Sequence, residues 1–340
     1  MSSERALLDP RHAPRWPALL GSLLCAGVLA GCTECPFPPP IQNPPAAIVL
    51  TFDDGPLPGD LARPPAEYSA DELLQPLRAI LDTLERNNAT AVFFIQGPGE
   101  ETLDAEGGAA FATALREMYD GGHTLGYHAY HADPAIWIRP CLFPPLAALP
   151  MSADLDRLVA FLDAVALPAG LEPDALFTPV FRQPFGGAGV SRVPAFLAAA
   201  ARGWTYRGFR IDSADWAQNT DSFPIVAESF AALSEAQYVE YVVQRLQDGL
   251  RHTADELQRE PGEFAVIDVL FHVNSFTAAH LQTWVDTLQG EYQFLYGMTA
   301  DFAVPEEYVR ENNFFVDLSV VTQLPAPPGE SRLLAAPSQP

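Results

Sequence analysis

A chain of 340 residues has room for two average domains, but α/β barrels of about 250 residues are routinely single, so one catalytic domain with tails is expected. Its 43 acidic residues against 19 basic ones give a formal charge of −24. That argues against nucleic acid and strongly anionic polymers as partners, because long-range repulsion opposes the encounter. Arg5, Arg11 and Arg15 precede an apolar run, Trp16 to Ala30, too short for a comfortable membrane span, and small residues follow. The pattern is that of an export signal covering residues 1–31. Its three arginines stand against Glu4 and Asp9, so its removal leaves a formal charge of −25.

The signal ends Leu29-Ala30-Gly31-Cys32, which resembles the bacterial lipobox. The resemblance implies a lipidated Cys32 and a protein held to the membrane by that lipid alone. Thr33, rather than Asp, after the Cys favours the outer membrane or periplasm over the cytoplasmic membrane by the same resemblance. Residues 32–45, with six prolines between Pro36 and Pro45, read as a semi-rigid tether. Cys25 lies in the signal and Cys32 takes the lipid, which leaves Cys35 and Cys141. In an exported protein they are expected to pair, with two free thiols as the alternative.

The catalytic domain is expected over residues 46–300. Ala46 to Pro56 begins as a continuous apolar run, the mark of a strand covered on both faces, and Gly55-Pro56 ends it. Asp53 and Asp54 therefore stand at a strand's carboxyl end, where α/β proteins build their sites. Adjacent carboxylates in a partly desolvated pocket raise each other's proton affinity, so a metal ion or an arginine must neutralise them. Ala70 to Asn87 has helical spacing, Thr90 to Ile95 is a second buried strand, and a helix over Ala109 to Tyr119 closes at Gly121-Gly122. His123 to Tyr130 forms a third strand and its mouth. Pro134 to Pro150, with five prolines, reads as an irregular insert.

Alternation continues with a helix at Ala153–Val165, a strand at Leu176–Arg182, a helix at Arg192–Arg202 and a strand at Thr205–Ile211. The longest helix, Ala236–Gln258, precedes the strand Phe264–His272 and a helix at Ala278–Leu288 that ends before Phe294-Leu295-Tyr296. Steady alternation of strand and helix predicts a parallel sheet or barrel. Residues 301–340 break the pattern: Phe314–Val321 fits one edge strand, and the end from Pro325 reads as disordered.

His123, His128 and His131 fall within nine residues, although only six His remain after residue 31. Such clustering beside a carboxylate pair favours a metal site, and two imidazoles with one carboxylate leave a zinc-like ion open to water. His123 is five residues from His128, and odd spacing along a strand sends the two side chains to opposite faces.

Further strand ends carry Phe181-Arg182-Gln183-Pro184-Phe185-Gly186, Asp212-Ser213-Ala214-Asp215-Trp216 and Val269-Leu270-Phe271-His272. With Thr51-Phe52-Asp53-Asp54-Gly55-Pro56 and the His pair, they resemble, in order, the motifs of the polysaccharide deacetylase family (carbohydrate esterase family 4). The resemblance covers about Ala46 to Tyr296 and implies a distorted (β/α) barrel with an incomplete strand count. It implies a metal-dependent hydrolase, most simply with Zn2+, that removes N-acetyl groups from an amino-sugar polysaccharide of peptidoglycan or chitin type. Asp54, His128 and His131 would bind the metal, Asp53 would be the general base held by Arg182, and His272 the general acid tuned by Asp215. Phe185 would offer its backbone N–H to the developing oxyanion, and Trp216 and Leu270 would enclose the acetyl methyl. The family spaces its ligands as His-Ser/Thr-x-x-His; here His128-Ala129-Tyr130-His131 is one residue shorter and lacks the hydroxyl, with Asp133 in reserve as a ligand. The alternatives are an O-acetyl polysaccharide esterase on the same site and a metal-free carbohydrate-binding relic. A monomer is expected.

Overall fold

A computed structural model of the protein describes residues 47–61, 65–99, 103–138, 144–187, 192–218, 233–259 and 266–304. The export signal, the lipid site, the proline tether, Cys35, Cys141 and the extension beyond residue 304 lie outside the described residues. Among the described residues, no helix is long and apolar enough to cross a membrane.

Seven strands, β1 (Ala47–Gly55), β2 (Ala91–Ile95), β3 (Thr124–Tyr127), β4 (Phe177–Phe181), β5 (Thr205–Tyr206), β6 (Ile211–Asp212) and β7 (Val266–His272), form one sheet. Its order is β5-β4-β3-β2-β1-β7-β6 and every pairing is parallel. Helices α1 (Ala70–Arg86), α2 (Ala105–Asp120), α3 (Pro134–Trp137), α4 (Pro144–Ala166), α5 (Pro173–Leu176), α6 (Arg192–Ala200), α7 (Glu235–Arg259) and α8 (Ser275–Tyr296) connect the strands.

The apolar run of β1 is buried on both faces, as its composition predicts. Ile48, Leu50 and Phe52 join the main core with Leu73, Leu77 and Ile80 of α1 and Trp284 and Val285 of α8. Each such side chain contributes about 1.5–3 kcal/mol by leaving water. Val49 faces the other way, into a small cluster with Val92, Phe94, Val180 and Val266. By the two-residue period of a strand, Thr51 and Asp53 follow Val49 to that inner side.

β5 and β6 are the two edges of the sheet, yet only residues 207–210 separate them. That link spans at most about 19 Å, whereas six flat inter-strand gaps would need about 29 Å, so the sheet must curl. The link closes the circle itself: the Arg207 N–H donates to the Phe181 carbonyl of β4 (2.7 Å) and the Arg210 N–H to the Asp268 carbonyl of β7 (2.9 Å). Across the opening, the Arg207 guanidinium meets the Asp268 carboxylate at 2.8 Å, both fully or nearly buried. The result is the expected (β/α) barrel with an incomplete strand count, closed by a strap instead of a strand.

Three local expectations are corrected. The single strand at Thr205–Ile211 is two short strands on opposite edges, because Gly208 and the two arginines interrupt the apolar pattern and carry the strap. The proline-rich insert holds α3 and the start of α4, since Pro144 and Pro145 suit a first helical turn that makes no N–H bonds. Phe294 to Tyr296 continue α8 without a break to its left-handed cap at Gly297.

Candidate active site

Parallel pairing of β1 with β7 sets Asp53 opposite His272 at the carboxyl ends of both strands. Asp53 is 3% exposed and accepts a hydrogen bond from Arg182 Nη1 at 3.1 Å. Arg182 leaves the end of β4, three strands away, so it reaches Asp53 across the barrel. Both terminal nitrogens of its guanidinium are held: Nη1 also donates to Thr51 Oγ1, Nη2 donates to the Gly208 carbonyl of the strap at 2.7 Å, and the plane lies 4.3 Å over the Phe94 ring. A buried cation so held aims the carboxylate it bonds.

His128, 2% exposed, follows β3. Its Nδ1–H donates to the Arg182 carbonyl at 2.8 Å, which turns Nε2 toward Asp54 Oδ1 at 3.3 Å and Asp53 Oδ2 at 3.9 Å. Burial disfavours the charged imidazole, but the two carboxylates outweigh it and raise its proton affinity. Enclosure likewise works against an ionised Asp54, and the imidazoles of His128 and His272 overcome it and hold the carboxyl below its ordinary value.

The opposite wall carries His272. Its Nδ1–H donates to Asp215 Oδ1 at 2.8 Å, while Asp215 Oδ2 accepts the His272 backbone N–H at 2.8 Å. Burial opposes protonation here too, yet Asp215, with Asp54 and Asp53 beyond, pushes the imidazole up to about 10. Asp215 is 1% exposed and is further held by the hydroxyls of Ser213 (2.9 Å) and Thr277.

Among the described residues, four non-glycine residues have positive φ, and three of them stand at this mouth: Asp54 (63°), Phe185 (59°) and Ala214 (59°). Such backbone costs on the order of 1–3 kcal/mol and persists where surrounding structure dictates it, which is characteristic of functional sites.

Of the remaining expected site residues, Leu270 lies on β7 opposite Thr51 and is 4% exposed. Phe185 turns the chain after β4, and Trp216 is half-buried beside Asp215 against the main core. His131 is not brought to the Asp54–His128 pair. Its ring packs against Gly99, where an added Cβ would meet Cδ2 at 2.9 Å, and its backbone N–H donates to Asp154 Oδ1 at 3.1 Å. Asp133 caps α3 through Ala135 N–H at 2.7 Å. His123 lies near the amino end of β2, away from the mouth, where its Nδ1 accepts the Ala91 N–H at 3.2 Å. Burial pushes its imidazole down to about 4, as befits a neutral structural residue.

Two ligands of a tetrahedral zinc-like ion at about 2.0–2.1 Å stand about 3.3–3.4 Å apart. The Asp54 Oδ1 to His128 Nε2 distance is 3.3 Å, so this pair fits two positions of such an ion. The backbone carbonyl on His128 Nδ1–H is the customary partner of a metal-binding imidazole. A complete set of three is not assembled among the described residues.

Residues 41–140 match the family model described as polysaccharide deacetylase. Over that stretch the chain is similar to the polysaccharide deacetylase family. The matched stretch holds Asp53, Asp54, His128 and His131; Arg182, Asp215 and His272 lie beyond it and reach the site through the fold. No curated protein matches the chain. Among solved structures it is similar to a chitin deacetylase from the fungal pathogen Colletotrichum lindemuthianum, at 16% identity and a TM-score of 0.48, over 80% of this chain and 90% of that one. It is also similar to a polysaccharide deacetylase from Bacillus cereus (18%, TM-score 0.46, 80% of this chain and 98% of that one). A third is a family 4 carbohydrate esterase from Streptomyces lividans in complex with acetate (19%, TM-score 0.43, 75% and 91%).

Motif reading missed Thr51, Ser213, Thr277, Asp154 and the Arg207–Asp268 pair. Asp268 alone had a visible signal: a carboxylate inside the apolar run Val266-Ile267-Asp268-Val269-Leu270 must find a partner to be buried.

Proposed function

We propose that the protein is a metal-dependent hydrolase that removes N-acetyl groups from an amino-sugar polysaccharide, working as an exported lipoprotein in the cell envelope. The observation that carries the chemistry is the register pairing of Asp53, held by Arg182, with His272, held by Asp215. Amide hydrolysis needs a base for water and a proton for the departing nitrogen, and the two groups stand on adjacent strands. Asp53 accepts the proton of the attacking water. His272 Nε2–H delivers a proton to the leaving nitrogen, and Asp215 stabilises the imidazolium until transfer.

Asp54 and His128 would hold a divalent metal, of which Zn2+ suits the donor set. When bound, such an ion polarises the acetyl carbonyl and acidifies a water. The anchoring rests on the Leu-Ala-Gly-Cys sequence at residues 29–32. Acetate release from N-acetylglucosamine oligomers and from acetylated xylan, with metal analysis of the purified protein, tests the proposal. Release from the oligomers supports it. Release from xylan alone assigns an O-acetyl esterase, and a metal-free protein inactive on both assigns a binding relic.

A further inference from the structure

We propose that Tyr238 of α7 is a positioning residue for His272: its hydroxyl clamps the Ala214 carbonyl and so holds the turn that aims Asp215 at the imidazole. The inference rests on the reading of His272 as general acid. Ala214 is left-handed at φ 59°, a conformation that costs an alanine about 1–2 kcal/mol and that Asn or Asp would relieve with a local side-chain bond. Alanine has no such bond to offer, so its conformation must be imposed from outside.

The imposing groups are identifiable. The Ala214 N–H donates to Asp212 Oδ1 at 2.8 Å, and the Ala214 carbonyl accepts from the Tyr238 hydroxyl as well as from the Ala217 N–H at 3.1 Å. One helix face holds the whole turn: Arg245 Nε donates to the Asp212 carbonyl at 2.9 Å, and Gly249 lets α7 close on Ile211, where a Cβ would come within 2.7 Å of the side chain. Tyr238, Arg245 and Gly249 are seven and four residues apart, the spacing of one helical stripe. Tyr238 is 2% exposed and its ring is set edge-on to Phe276 at 5.3 Å, so the hydroxyl has little freedom. Burial and the nearby Asp215 carboxylate push the phenol up, and it stays a donor. The next residue along is Asp215, both of whose oxygens must reach His272.

Tyr238→Phe removes one hydroxyl and keeps the ring. We expect kcat on an N-acetyl amide substrate to fall about three- to tenfold, the worth of one hydrogen bond, and kcat on an activated acetyl ester to fall by a smaller factor, with KM for both within about twofold. In a His272→Ala background, the same substitution should cost the amide reaction nothing more. Equal losses on amide and ester, or a loss that persists without His272, would mean a general structural role and overturn the proposal. A crystal structure of Tyr238→Phe decides independently of turnover: a widened Asp215–His272 contact supports the clamp, and an unmoved one refutes it. A wild-type protein inactive on both substrates would instead sink the general-acid reading, while that structure still reports on the clamp.

Discussion

Replacing Asp53 by Asn separates the proposed proton-accepting role of this residue from its structural one. Removing one member of a buried charge pair costs about 3–5 kcal/mol when the partner is stranded. Here Arg182 keeps Thr51, the Gly208 carbonyl and the Phe94 face, and the Asn carbonyl still accepts from Nη1. The loss is then the difference between a charge-assisted hydrogen bond and a neutral one, about 1–1.5 kcal/mol. For a domain of this size it amounts to roughly 2–6 °C in Tm. Turnover should suffer much more, because a positioned general base contributes about 10²- to 10⁴-fold and Asn cannot take a proton. Thermal unfolding and acetate release from N-acetylglucosamine oligomers measure the two effects on one sample, and metal content should stay at the wild-type level, since Asp54 is untouched. A variant that keeps more than about a tenth of wild-type kcat would refute Asp53 as the base. One that loses its metal would mean that Asp53 and Asp54 have exchanged roles.

His272→Ala should slow amide hydrolysis by about 10²-fold or more and an activated ester much less, because a good leaving group departs without a proton; equal losses would count against the general-acid role. His128→Ala should weaken divalent metal binding, followed by competition with a chromogenic chelator, by several kcal/mol, whereas His123→Ala should leave it unchanged; the reverse ranking would remove His128 from the site. His123 also predicts acid sensitivity. Its folded value of about 4 lies below the ordinary 6.5, so the stability of the neutral form is present above pH 6.5 and is lost as pH falls toward 4, at most about 3 kcal/mol. His123→Gln, neutral throughout, should lose that much less between pH 7 and pH 4 in urea unfolding, and parallel curves would contradict the assignment.

Much of the barrel was legible because a buried parallel strand needs a continuous apolar run, and β1, β2 and β7 have one. The carboxyl-end rule then located Asp53, Arg182, Asp215 and His272 before any geometry was known. Two things were not legible. Thr205 to Ile211 has the composition of one strand, and only the pairing of its halves with opposite edges shows that it is a strap; a local pattern carries no information about which neighbour lies 60 residues away. The place of His131 depends on Asp154, from the far side of a helix-bearing insert, taking the N–H groups of Tyr130 and His131 at 2.8 and 3.1 Å. In this chain that carboxylate braces the loop, and the spacing of two histidines does not reveal it.

The strap also explains why a charge pair closes the barrel. An apolar pair of equal volume would seal the gap between β4 and β7 at least as stably, because desolvation offsets most of what a buried ion pair gains. What the charges add is direction. Asp268 is fixed by β7, and its bond to Arg207 sets the height at which the strap crosses. That crossing places the Gly208 carbonyl 2.7 Å from Arg182 Nη2, and Arg182 Nη1 in turn holds Asp53. A greasy plug could slide by an ångström with little penalty. A short, buried, oriented ion pair cannot, and an ångström at Gly208 would pass through a rigid guanidinium to the carboxylate proposed to meet the attacking water.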